Sequence, residues 1–219
     1  MPDFTIENKY KDKGIIVGID EAGRGPLAGP VVAGAVVFPK LQIAPELAAL
    51  IDDSKKLCPK KREAVFEDLY ASDAFIGVGI ASAAEIDEVN ILQATFLAMR
   101  RALDNVKIKA DLALVDGNRD PKLYCPAVTV VKGDSLSLSI AAASIIAKVT
   151  RDRIMTKLAL QYPQYGWDKN AAYGTSEHLD ALAKYGPTPE HRKSFAPVRK
   201  CQPKNNETSD LDLLLKSEN

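Results

Sequence analysis

Two adjacent acids, Asp20 and Glu21, stand at the end of the apolar run Ile15-Ile16-Val17-Gly18-Ile19. The segment that follows, Ala22-Gly23-Arg24-Gly25-Pro26-Leu27-Ala28-Gly29-Pro30, is dense in Gly and Pro and carries one arginine. A short apolar run closed by turn residues reads as a buried strand. Two like charges at the end of such a strand are costly, because both cannot stay ionised in a dry site. A divalent cation removes that cost, and hard ions such as Mg²⁺ prefer carboxylate oxygens. Gly23 and Gly25 let the backbone come close to a ligand and take positive φ where needed. The acid pair beside a glycine-bracketed Arg24 therefore reads as a metal site next to a sugar-phosphate site. One condition attaches to it. Neighbours on a flat strand point to opposite faces, so Glu21 shares a site with Asp20 only if the strand bends there.

Two further acids have related settings. The apolar run from Asp111 to Asp116 also ends in a carboxylate, followed by Gly117. Ligand sites gather at strand ends in open α/β sheets, although Asp before Gly is also an ordinary turn former. Asp134 follows Gly133 ahead of a long helical pattern, where residue type alone reads as a helix cap. His178 reads as structural. His191, in a basic segment, fits a phosphate contact or a helix-terminal role equally.

Taken in order, these segments resemble the ribonuclease HII (type 2 ribonuclease H) family. The likeness also covers Asp53-Ser54-Lys55-Lys56-Leu57, Val115-Asp116-Gly117, Lys132-Gly133-Asp134, Ala142 to Asp152, Tyr173-Gly174-Thr175 and His191-Arg192-Lys193-Ser194-Phe195, so it spans Ile15 to about Phe195. The resemblance implies that Asp20, Glu21, Asp116 and Asp134 are the catalytic, metal-binding acids, holding two Mg²⁺ or Mn²⁺ ions. It implies that the Gly23-Arg24-Gly25 loop senses a 2′-hydroxyl, the group that separates RNA from DNA at a given sugar. It also implies that Tyr173 packs against the neighbouring deoxyribose. Ser144, Lys148 and Arg151 fall at i, i+4 and i+7 on one helix face, placed for phosphates or for orienting the carboxylates; a solvated stripe is the competing reading. Ser54 and Lys55 are similarly placed for phosphate. The implied activity is hydrolysis of the RNA strand of RNA–DNA hybrids, and cutting at ribonucleotides embedded in DNA, leaving 5′-phosphate and 3′-hydroxyl ends. Another two-metal nuclease of the same fold, of resolvase or integrase type, and a catalytically silent hybrid-binding protein are the alternatives. A DNA-only enzyme has no 2′-hydroxyl to find, and the four acids stand intact.

The elements that must position these residues follow from periodicity. Strands are predicted over 15–20, 31–38, 75–80, 111–116 and 127–131, the first two joined by the Gly/Pro turn. A helix is predicted from Ala83 to Asn105 with Leu92, Phe96, Met99 and Leu103 on one core face. A second runs from Ser135 to Tyr162 with Ile140, Ala143, Ala147 and Ile154 toward the sheet. Shorter helices are expected over Ser176 to Tyr185 and Pro189 to Ser194. The fold class is α/β, a mixed sheet flanked by helices; the resemblance makes it ribonuclease H-like with a small helical C-terminal part. Residues 1–196 form the expected catalytic domain and 197–219 a flexible tail. Within the tail, Asp210-Leu211-Asp212-Leu213-Leu214 resembles a sliding-clamp-binding peptide, with Asp for Gln first and Leu for Phe last.

Composition sets the bounds. With 219 residues and 46% hydrophobic content the chain can bury a core as one domain, and a monomer is expected. Lys and Arg number 29 against 29 Asp and Glu, so a polyanion must be held by local patches, one at Lys55 to Arg62 and one from Lys184 to Lys204. Cys58, Cys125 and Cys201 make no CxxC pair, which reads as free thiols in a reducing compartment. With no signal peptide or spanning segment, the expected location is cytoplasmic.

Overall fold

The structure, a computed structural model, describes residues 1–51 and 57–201. Ser54, Lys55 and the 210–214 segment lie outside the described residues. Five strands form one sheet: β1 (Ile16–Ala22), β2 (Val31–Val37), β3 (Phe75–Ala81), β4 (Leu112–Asp116) and β5 (Ala127–Val130), in the order β3-β2-β1-β4-β5. β1–β2 and β2–β3 pair antiparallel; β1–β4 and β4–β5 pair parallel. The helices are α1 (Thr5–Asn8), α2 (Pro45–Ala48), α3 (Pro59–Ala71), α4 (Ala83–Asp104), α5 (Leu138–Gln161), α6 (Trp167–Asn170), α7 (Ser176–Tyr185) and α8 (Ala196–Lys200).

The two long helices sandwich the sheet. Val17, Ile19, Ala33, Ala35, Ala113 and Val115 meet Ala94, Ala98, Met99, Ala102 and Leu103 of α4. On the other face Val36, Ile16, Leu112 and Leu114 meet α5, with Val65, Phe66 and Leu69 of α3 packed behind it. Glycines on the strands let the helix backbones sit directly on the sheet. A Cβ at Gly34 would lie 2.4 Å from the Ala143 carbonyl oxygen of α5, and one at Gly79 would lie 2.0 Å from that of Ala98 of α4. The core face of α4 is therefore an alanine stripe continued by Met99 and Leu103, while Phe96 and Leu92 sit at its margin.

Three expectations change. The 83–105 helix is broken at Asn90, which adopts φ 68° and uses Oδ1 to accept from the Leu92 and Gln93 N–H groups, so it caps a second segment. A short polar side chain supplies the cap for the helical turn that follows. Residues 189–194 are not helical. Gly29 N–H donates to the Glu190 carbonyl at 2.9 Å and Arg192 N–H to that of Leu27 at 2.8 Å, so the segment pairs with the Gly/Pro turn. Residues 59–71, read only as the end of a basic patch, form α3, with Pro59 at its first turn.

Candidate active site

The parallel register of β1 and β4 ends at Ile19 opposite Val115, so Asp20 and Asp116 each follow the last residue paired between these adjacent strands. Both belong to the face that packs on α5, since Gly18 abuts Ser139 and Leu114 packs on Ile140. Asp116 Oδ1 accepts from Gly133 N–H at 2.7 Å. That bond ties β4 to the one-turn 3₁₀ helix Gly133–Ser135 carrying Asp134, entered through Lys132 at φ 58°. Asp134 does not cap α5. Ser137 does, accepting from Ile140 N–H at 3.2 Å, and is itself held by the buried Glu7, whose Oε1 takes Ser137 Oγ at 2.7 Å and Ser139 N–H at 2.9 Å.

Asp20 is 5% exposed. Burial, then the charges of Glu21 and Asp116, hold its carboxyl well above the usual carboxylate range; Asp134 adds to the rise, and the Glu21 N–H, donating to Oδ1 at 2.7 Å, opposes it. The other three acids therefore all act on Asp20. Glu21 does so without the strand bend that sequence reasoning required. β1 pairs with β2 without interruption through Ala22↔Val32, so Glu21 leaves by the face opposite Asp20. There it lines a cavity of about 360 Å³ with Leu92, Phe96, Met99, Asp116 and Arg119. Arg24 Nη1 lies 3.2 Å from Glu21 Oε1. Among the described residues, no three acidic, His or Cys side chains converge tightly enough to hold an ion as they stand.

A second cavity, about 260 Å³, is lined by Asp20, Glu21, Gly23, Arg24, Gly25, Ser144, Lys148, Arg151 and Tyr173. Of the predicted site residues within the described residues, all but Asp116 and Asp134 border it, and those two act electrostatically on Asp20. Their roles divide. Gly25 faces the half-exposed Tyr173 ring, its Cβ position 3.4 Å from Cε1. Gly23 is demanded from within: it has φ 96°, and a Cβ there would lie 2.1 Å from Arg151 Nε. Lys148 Nζ bonds both Asp152 oxygens, at 2.5 and 2.7 Å. The Ser144–Arg151 face is not a solvated stripe. Ser144 is buried and donates to the Ala141 carbonyl at 2.8 Å, and the Arg151 guanidinium is buried against backbone carbonyls.

Sequence reasoning missed three groups. Arg192, read as part of a basic surface, is fully buried behind the glycine loop. His178 and His191 are buried together, Nε2 to Nε2 at 3.1 Å, so His191 meets neither phosphate nor helix end. His178 Nδ1 lies 2.9 Å from the Tyr173 carbonyl, directly behind that side chain. Arg119, three residues past Asp116, was signalled only by its nearness to the acid.

The family described as Ribonuclease HII matches residues 17–198. Ribonuclease HII from Paramagnetospirillum magneticum is 57% identical over 198 residues, covering 90% of this chain and 97% of that relative. The crystal structure of ribonuclease H2 from Pyrococcus horikoshii OT3 matches with a TM-score of 0.71 at 32% identity, over 85% of this chain and 96% of that one. Bst-RNase HIII in complex with Mn²⁺ matches with a TM-score of 0.70 at 18% identity, over 85% of this chain and 68% of that one, a likeness of fold alone.

Proposed function

The chain belongs to the ribonuclease HII family and is a ribonuclease H hydrolase, and on that premise we propose that it cuts the RNA strand of RNA–DNA hybrids and also cuts beside single ribonucleotides in DNA, leaving 5′-phosphate and 3′-hydroxyl ends. Asp20, Glu21, Asp116 and Asp134 would hold two Mg²⁺ or Mn²⁺ ions. The donor set fits such ions. It is all hard carboxylate oxygen, and the mutual repulsion that raises the Asp20 pKa is the repulsion a cation relieves. The chemistry supplied by a pair of ions about 3.5–4 Å apart is water activation and stabilisation of the leaving oxygen in an in-line displacement.

The chain's own residues do the recognising. The backbone of Gly23-Arg24-Gly25 reads the 2′-hydroxyl of the ribose beside the scissile bond, and Arg24 holds Glu21 in place. Tyr173 offers its ring face to the next sugar; an apolar face favours a deoxyribose, which makes an RNA-to-DNA junction the preferred target. Lys148, held by Asp152, sits at the cavity wall for a phosphate.

The observation that carries this reading is the shared cavity: Asp20, the glycine loop and the Tyr173 ring border one space of nucleotide size. The test is cleavage, in Mg²⁺ or Mn²⁺, of a duplex holding one ribonucleotide, a long RNA–DNA hybrid and the all-DNA duplex. The first two are expected to be cut and the third left intact. Cleavage of the all-DNA duplex would favour a DNA nuclease of the same fold.

A further inference from the structure

The Gly23–Pro30 turn is gripped from behind by two buried guanidinium groups. Arg192 donates from Nε to the Gly29 carbonyl at 3.0 Å, from Nη1 to that of Arg24 at 2.9 Å, and from Nη2 to those of Gly23 at 2.5 Å and Pro30 at 3.2 Å. Arg151 donates from Nε to Pro30 at 3.1 Å, from Nη2 to Ala28 at 3.2 Å, and from Nη1 to Ala171 at 3.1 Å. Ala171 and Ala172 hold positive φ, 47° and 64°, immediately before Tyr173. Both guanidiniums bond backbone carbonyls rather than carboxylates. Burying them this way is costly, and burial together with the neighbouring Arg151 charge brings the Arg192 pKa down to about 9. A plain surface turn needs no such grip.

The grip has a directional consequence. In a trans peptide the carbonyl and the following N–H point in opposite directions. With the Gly23 and Arg24 carbonyls drawn inward to Arg192, the N–H groups of Arg24 and Gly25 are turned outward, toward the cavity that these residues line with Asp20 and Tyr173. Among the described residues, neither N–H has an acceptor. We propose that Arg192 is a positioning residue for ribose recognition: it turns the Arg24 and Gly25 amides into a fixed pair of donors for the 2′-oxygen, while Arg151 ties the same loop to the Tyr173 loop through Ala171. The inference rests on the reading of the glycine loop as the ribose sensor.

The test separates discrimination from folding. Affinities for a duplex with one ribonucleotide and for its all-DNA counterpart are measured with Ca²⁺ as the only divalent ion, in wild type and Arg192→Lys. A lysine keeps the charge but cannot span four carbonyls. The preference for the ribonucleotide duplex is expected to fall about tenfold, the value of one or two hydrogen bonds, while all-DNA affinity stays within about twofold. An unchanged preference, with or without weaker binding to both duplexes, would overturn the proposal. A wild type with no preference would instead sink the sensor reading, and this inference with it. If Arg192→Lys does not fold, the wild-type amide proton resonances of Arg24 and Gly25 decide. They are expected to move downfield with the ribonucleotide duplex and not with all-DNA, and equal responses would refute the donor assignment.

Discussion

At Asp20 a single buried carboxyl feels the charges of three others, so its electrostatics bear on the whole site. The ion-binding reading is tested most directly at Asp116, whose Oδ1 also anchors Gly133. Asp116→Asn keeps that acceptor and removes the charge. Cleavage is expected to fall on the order of 10³-fold or more while hybrid binding largely persists; full activity in the variant would defeat the assignment. For Tyr173 the proposed role is recognition. Tyr173→Ala is expected to slow cutting at single ribonucleotides by about tenfold more than cutting within long RNA stretches, as loss of one aromatic–sugar contact allows. Equal loss on both substrates, in steady-state assays, would remove its role at the junction. Gly23 shows how one residue type serves two masters: its φ of 96° shapes the loop, and its missing side chain makes room for Arg151.

At the scale of elements, the acids are placed by how closely α4 and α5 lie on the sheet. The α5 backbone rests on Gly18 and Gly34, and the same helix begins just after the turn bearing Asp134. Gly34→Ala would push a methyl to 2.4 Å from the Ala143 carbonyl oxygen and 3.1 Å from Ala147 N, both rigid backbone. Overpacking of this kind costs about 1–3 kcal/mol, so a Tm lower by roughly 2–12 °C is expected in a thermal melt. A melt within one degree of wild type would mean that the helix shifts freely. The continuous β1–β2 register makes a related point. The Glu21 charge acts on Asp20 from the opposite face of a strand that has no bulge there.

Across the whole molecule, the C-terminal helices are joined to the site by a buried polar knot. Trp167 Nε1 donates to His178 Nε2 at 3.1 Å, and Thr188 N–H donates to His191 Nδ1 at 3.0 Å. His191 therefore carries its proton on Nε2 and gives it to His178, whose Nδ1–H bonds the Tyr173 carbonyl. The arrangement needs both rings neutral. Burial first, then the neighbouring His178, brings the His191 pKa down to about 4. The unfolded chain takes up that proton near pH 6.5 and the folded chain only near 4, so this contribution to stability is full above about pH 6.5 and lost as pH falls toward 4, about 3 kcal/mol in all. Urea unfolding of wild type is expected to weaken between pH 6.5 and 4.5 more steeply than that of His191→Asn; equal slopes would show that His191 is not the titrating group. No helix among the described residues is long and apolar enough to cross a membrane.

Much of this was legible in the chain itself. The apolar runs leading to Asp20 and Asp116 predicted two core strands carrying acids, and the long stretches with apolar residues at helical spacing predicted α4 and α5, because burial imposes a period on local sequence. The residues at 189–194 misled, since their backbone partners lie about 160 positions away in the Gly/Pro turn and leave no periodic trace. Arg192 escaped for the same reason, its four carbonyl partners lying 162 to 169 positions away. Residue type records charge, whereas only the packed chain decides whether a charge faces water or a ring of carbonyls. Which residue types could carry the chemistry was thus written in the sequence; that Asp20, Glu21, the glycine loop and Tyr173 border one cavity, and that Arg192 and Arg151 lie buried behind the loop, was decided by tertiary structure alone.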